Sequence, residues 1–307
     1  MVHGFLQRLL QAALVLVGVA LLLFVMLRIV PGNPITTMMG EHANAATVER
    51  MTRELGLDEP IRVQFVKYLS GAIRGDFGTS YSLGKPVSSL MGSAFLNTLK
   101  LSLFAVLYAW LLGILCGVLA AGSKGKILDY LFMGTSLFGI SMPVFMVAML
   151  LQYLFAYYLH LLPISGVDTP SGFILPAIAL GWNSAGEVAR LVRSTLLDIL
   201  QEDYIDTARA KGRRQLGVLL LHALPNAMLP VITMMALQFS GLLSGAVITE
   251  TIFSINGIGR LAVQAISGRD IPLLQGTVLF STLVVILGNL LADFLYTVLD
   301  PRIRKEA

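Results

Sequence analysis

The sequence predicts an all-α integral membrane protein of about six transmembrane helices. Charged residues make up only 13% of the 307-residue chain, against about 25% in an ordinary soluble domain, and 56% of the residues are hydrophobic. The charge is also unevenly spread, since Ala12–Leu27 and Leu101–Gly122 hold none. A span needs about 20 mostly apolar residues to cross about 30 Å of hydrocarbon. Inside lipid its backbone groups must pair within the segment, which selects helix.

The spans expected on this basis are Leu9–Val30, Leu96–Ala121, Leu131–Leu159, Ile174–Leu197, Ala227–Phe253 and Leu274–Leu299. The first apolar run is too long for a signal peptide, continuing to Val30 and ending in Pro31-Gly32-Asn33-Pro34, so it reads as a retained span. Basic residues fix the orientation. Lys124 and Lys126 follow the second span, Arg209, Lys211, Arg213 and Arg214 the fourth, and Arg302, Arg304 and Lys305 the last, whereas 160–173 holds Asp168 and no Lys or Arg. The positive-inside rule puts those basic loops and both termini in the cytoplasm. The chain then divides into the N-terminus and first helix (1–30), an outer segment (31–95), a five-helix core (96–299) with a cytoplasmic loop at 198–226, and a tail (300–307).

The outer segment reads as folded. Ala45–Leu55 is helical and stopped by Gly56. Pro60 opens a helix to Ile73 with Ile61, Phe65, Leu69 and Ile73 on one face. Gly75-Asp76-Phe77-Gly78 makes a turn, and Pro86 starts a further helix.

Several chemistries find no support. Gly84-Lys85 is followed by Pro86 and Gly125-Lys126 by Ile127, so no phosphate-binding loop is present, and H-E-x-x-H and G-x-S-x-G are absent. The four histidines flank different spans, and the one cysteine, Cys116, lies in an apolar run where it reads as a small hydrophobe. No metal site and no nucleic-acid surface is expected, and the basic balance of +4 belongs to the cytoplasmic loops.

Within the spans, Glu187, Arg190 and Arg193 recur every three residues. Glu187 and Arg190 either pair on one face and line an inner cavity, or the two arginines reach the headgroups from the end of the span, the favoured reading for the arginines. Asp293 calls for a structural partner, while Arg28 and Glu250 are placed to gate or anchor. Pro143 should kink the third span and could shape a pore. Gly113 and Gly117, and likewise Gly241 and Gly245, are spaced to let helices approach closely.

The most informative stretch is Glu202–Pro225, whose first part is helix-compatible and stops at Gly212. By spacing alone it is an interfacial helix near headgroups or a lever against a soluble partner. Asp206-Thr207-Ala208, three residues, Gly212, nine residues and His222-Ala223-Leu224-Pro225 resembles the cytoplasmic coupling loop of ABC importer permeases, with Asp206, Thr207 and His222 departing from its consensus. The run Asp203-Tyr204-Ile205-Asp206-Thr207-Ala208-Arg209-Ala210-Lys211-Gly212 is similar to the dipeptide, oligopeptide and nickel permeases, as are Leu27–Pro34, Glu54–Asp58, Gly75–Ser80, Ser141–Phe145, Ile174–Ala177, Thr249–Phe253 and Asp300–Arg304. That resemblance implies a type I ABC importer permease fold in a bacterial inner membrane. It implies a second permease subunit, a pair of cytoplasmic ATPase subunits that bind ATP and Mg, an extracytoplasmic substrate-binding protein, and a peptide or nickel-chelate cargo. The chain itself would hold no cofactor and perform no catalysis. Coupling would fall to Tyr204, Asp206, Thr207, Ala208, Arg209, Ala210, Lys211, Gly212, Leu224 and Pro225. An ion-gradient-driven transporter is the competing class, for which Glu187 and Asp293 are the membrane carboxylates available.

Overall fold

The computed structural model describes residues 2–29, 44–54, 56, 58–167 and 169–299, and their side chains except at 2–6, 45–47, 51, 54 and 293–299. Pro31–Pro34, Asp168, the side chain of Asp293 and Asp300–Arg304 lie outside the described residues. Every regular element described is a helix. In chain order these are α1 (Val2–Ile29), α2 (Ala45–Glu54), α3 (Ile61–Ile73), α4 (Val87–Gly122), α5 (Ile127–Ser141), α6 (Val144–Leu151), α7 (Ile174–Ile199), α8 (Asp203–Ala210), α9 (Gln215–Val218), α10 (Leu224–Leu243), α11 (Val247–Ile252), α12 (Ile258–Ser267) and α13 (Ile271–Leu299). Wider π-helical turns continue α6 over Gln152–Tyr158 and join α9 to α10 over Leu219–Ala223.

Among the described residues four single stretches are long and apolar enough to cross a membrane: Gln7–Ile29, Val87–Gly122, Gln215–Leu243 and Ile271–Ala292. The expected third span is not one straight helix. Pro143 has no N–H to donate and pushes Met142 into extended backbone (φ −80°, ψ 128°). The helix breaks there, and the flanking segments diverge by 104°. Asn183 donates to the carbonyl of Ile140 at 2.9 Å, satisfying an acceptor freed by the break. The expected fourth span is α7, whose 26 residues reach about 39 Å. Glu187, Arg190, Arg193 and Asp198 make it more highly charged than the other long helices. The expected fifth span begins earlier and ends earlier than its hydropathy suggests, because the chain leaves helix after Leu243 and passes through Gly245 at φ +115°.

The chain forms two compact units. The first comprises Met1–Thr98 and Asn256–Ile286, the second Leu99–Ile255 and Leu287–Ala307. In the first unit Val87, Met91 and Ala94 of α4 pack with Ile258, Leu261, Ala265 and Leu273. Gly276 admits this contact, since a Cβ there would lie 2.6 Å from Val87 Cγ1. Only part of the face expected on α3 is used. Phe65 and Tyr68 turn to Phe24 of α1, whereas Ile61 and Ile73 remain 55% and 79% exposed.

A buried carboxylate ties the loop before α4 to the start of α13. Asp270 is fully buried, and its Oδ2 accepts from Ser80 Oγ (2.6 Å), Ser82 Oγ (2.8 Å) and the Ser82 N–H (2.9 Å). Its Oδ1 accepts from the Leu273 N–H at 3.2 Å, capping α13. Burial alone would raise the carboxyl pKa, but the donors from Ser80 and Ser82 outweigh it and hold the group below its ordinary value.

In the second unit α7 is approached at backbone distance from two sides. A Cβ on Gly113 would lie 2.8 Å from the Ala185 carbonyl, one on Gly117 2.6 Å from that of Ala189, and one on Gly181 2.5 Å from that of Ala105. On another side a Cβ on Gly186 would lie 2.6 Å from the Ser136 carbonyl. A Cβ on Gly241, by contrast, would meet nothing within 4 Å, so that member of the second pair makes no close crossing among the described residues.

Gly117→Ala forces backbone apart and should cost about 1–3 kcal/mol, read as a lower thermal midpoint in detergent. Gly134→Ala, where a Cβ meets nothing, should leave the midpoint unchanged or raised. Asp270 has a depressed folded pKa, so its contribution is present above the unfolded value of about 3.9 and fades as pH falls through the folded one. The gap in midpoint between the natural chain and Asp270→Asn should therefore be constant from about pH 7 to 5 and narrow below about pH 4. A gap that widens on acidification contradicts this.

Candidate functional site

The helix α8 is anchored by two residues on one side. Ile205 is fully buried and Ala208 is 6% exposed, and both join the apolar cluster formed with Val192 and Leu196 of α7, Val218, Leu219 and Ala223. Their spacing of three brings both to one face of a short helix. Tyr204, Asp206, Thr207, Arg209, Ala210, Lys211, Gly212, Arg213 and Arg214 are all exposed. Asp206 and Arg209 pair at 2.7 Å, and Arg209 Nη2 donates to the carbonyl of Leu200 at 3.2 Å. Asn226 Nδ2 donates to Tyr204 Oη at 3.0 Å, stapling α8 to the start of α10, where Leu224 is half-buried and Pro225 exposed.

Gly212 ends the motif at φ +76°, and its N–H donates to the carbonyl of Arg209 at 2.9 Å. A Cβ there would meet nothing within 4 Å. Glycine is therefore required by backbone conformation, not by space. The result is a short, docked helix with a mixed acidic and basic outward face.

The charges of α7 are partnered differently from the expected pattern. Glu187 accepts from Gln238 Nε2 of α10 at 2.9 Å, and no ion pair joins it to Arg190, which is exposed. Arg193 does not run free to the headgroups. Its Nε and Nη2 donate to Asp129 Oδ1 (2.6 Å) and Oδ2 (2.8 Å), and Asp129 is 2% exposed and also accepts from the Gly125 N–H at 3.0 Å. This two-pronged contact fixes the start of α5 to α7 less than three turns before α8. Nothing in the sequence around Asp129 marks it out. Glu250 is fully buried and its Oε1 accepts from the Ala246 N–H at 3.3 Å, so it closes the first turn of α11. Arg28 lies over the ring of Phe24 and donates to its carbonyl.

Comparison with known proteins bears on this arrangement. The model for the binding-protein-dependent transport system inner membrane component matches residues 113–305, and the one for the N-terminal region of such membrane components matches 1–111. The chain belongs to this family of ABC importer permeases. Among its relatives, the glutathione transport system permease protein GsiC of Salmonella typhimurium is 41% identical over 304 residues, 99% of both chains. GsiC of Escherichia coli K12 is 40% identical over the same length and coverage. An inward-facing structure of the MetNI methionine ABC transporter aligns with 69% of this permease and 96% of its own chain, with a TM-score of 0.59 at 16% identity, which shows a shared fold. The family assignment and that fold fit a multi-pass inner-membrane protein and lend the ion-gradient alternative no support.

Ala208→Asp puts a carboxylate into the apolar contact that holds α8 of the permease. Trypsin should then cut faster after Arg209 and Lys211 than in the natural chain, while Thr207→Asp, on the exposed side, should leave the rate unchanged. Equal rates for both variants contradict the docking of α8 through Ile205 and Ala208.

Proposed function

We propose that this chain is the pore-forming permease subunit of an importer for short peptides of glutathione's size and chemistry, working by alternating access. The observation that carries the substrate reading is the full-length similarity to permeases named for glutathione transport. The coupling reading is supported by the docked helix α8, whose outward face carries Asp206, Arg209 and Lys211.

In this reading the basic loops and both termini face the cytoplasm, and the segment after α1 faces outward toward a substrate-binding protein. Two permease subunits, this chain and a homologous one, enclose the path. Each presents its coupling helix to one of a pair of ATPase subunits, which bind ATP and Mg. Drawing the ATPases together moves α8. Ile205 and Ala208 pass the displacement to the end of α7 and the start of α10, because the cluster they share is close-packed and transmits strain. Glu187, Gln238 and the break at Pro143 belong to the membrane part of that path.

The test is uptake of labelled glutathione by cells that lack their own uptake system and express the permease together with a homologous permease, ATPase subunits and a substrate-binding protein. Uptake should be abolished by vanadate, survive an uncoupler, and be competed by di- and tripeptides more strongly than by nickel. Gly212→Pro removes the N–H and imposes a negative φ, and it should cut uptake at least about tenfold while leaving membrane insertion and ATP hydrolysis intact. Uptake that collapses with the uncoupler and ignores vanadate overturns the class. Competition by nickel alone overturns the substrate.

A further inference from the structure

In the first unit α1 and α3 meet through aromatic rings, with Phe24 edge-on to Phe65 at 5.1 Å and stacked on Tyr68 at 6.1 Å. Beside this contact lies a cavity of about 200 Å³ lined by Arg28, Glu59, Lys67, Tyr68 and Gln275, among others. Two polar atoms of that lining, Glu59 Oε2 and Tyr68 Oη, are buried and have no hydrogen-bond partner. Buried polar atoms are nearly always paired, so two orphans in one cavity mark a place that a ligand completes.

The charges define the ligand. Lys67 Nζ bonds Glu59 Oε1 at 2.6 Å, which leaves Oε2 bare. Arg28 donates to the Phe24 carbonyl at 3.2 Å and to the Gln64 side chain. Two cations thus face one carboxylate, an arrangement that takes an anion and, at Oε2, a cationic or donor group beside it.

Position defines its source. Arg28 sits in the last turn of α1, the charge-poor helix whose Leu14, Leu22 and Met26 are more than half exposed. A cavity at the end of such a span lies at headgroup depth, next to acyl chains that would cover the apolar face. Its volume is below the roughly 300–1,000 Å³ of pockets that enclose drug-sized ligands, which suits a headgroup and not a whole tripeptide.

We propose that this cavity binds the headgroup of an aminophospholipid, phosphatidylethanolamine, from the leaflet at the C-terminal end of α1. The phosphodiester lies against Arg28 and Lys67, the ammonium donates to Glu59 Oε2, and Tyr68 Oη donates to the phosphate. The proposal requires that α1 crosses the bilayer and is independent of the cargo.

The full chain, purified in detergent with the subunits that accompany it and stripped of lipid, is titrated with phosphatidylethanolamine, phosphatidylglycerol or soluble phosphoethanolamine and read by native mass spectrometry. One phosphatidylethanolamine should be retained at about tenfold lower concentration than phosphatidylglycerol, and Glu59→Gln should erase that preference. Arg28→Gln should weaken both lipids by about tenfold. Tyr68→Phe removes one unpartnered oxygen without changing the shape of the ring. It should weaken phosphatidylethanolamine binding severalfold while the thermal midpoint without lipid stays the same or rises, which separates ligand loss from misfolding. Equal retention of both lipids, or retention unchanged in Tyr68→Phe and Glu59→Gln, overturns the site. Displacement of the lipid by phosphoethanolamine at equal concentration overturns the membrane source in favour of a soluble phosphate compound.

Discussion

The second unit depends on α7 being narrow where other helices cross it. In lipid, apolar surface gains nothing by leaving the solvent, so helices associate through close packing, and close packing needs small residues. Here the small residue sits now on one partner and now on the other: Gly113 and Gly117 on α4, Gly181 and Gly186 on α7. Each brings a backbone carbonyl of the facing helix within van der Waals reach. The apolar clusters on either side, one around Val188 and Val192 and the other around Leu101 and Phe173, grow outward from these crossings.

A helix gripped in this way also holds its successor in place. The end of α7 leads through Leu200 into α8, and Leu196 and Ile205 share one apolar cluster. The bond from Arg193 to Asp129 adds a polar fixing point just before that junction. Each polar contact described in the second unit has its own local partner: Glu187 has Gln238, Arg193 has Asp129, and Glu250 has the backbone of Ala246. The contacts of Glu187 with Gln238 and of Arg193 with Asp129 are struts between helices, and at these positions the energetic penalty of an isolated buried charge is avoided.

The sequence disclosed what is local and concealed what is distant. The charge-free runs that became α1, α4 and α13 are legible because lipid demands about 20 apolar residues in succession. The end of α8 is legible at Gly212 because its backbone angle excludes most other residues. Pro143 announced a distortion, but hydropathy carries no information on angle, so a kink was expected where the chain turns by 104°. The early end of α10 at Leu243 is hidden for the same reason, since Ala246, Val247 and Ile248 soon resume the apolar run. The Arg193 and Asp129 pair is separated by 64 residues, and Ser80 and Asp270 by 190. No periodicity links positions so far apart, and a single Asp in a loop has no signature until its donors surround it.

The two sides of α8 answer to different masters. Ile205 and Ala208 satisfy the chain's own interior, whereas Asp206 and Thr207, two of the three positions that depart from the usual motif, look outward. Drift on the outward side leaves folding untouched. On the proposed coupling reading, the exposed side chains of α8 can be varied to suit one motor and not another without unsettling the seat formed by Ile205 and Ala208.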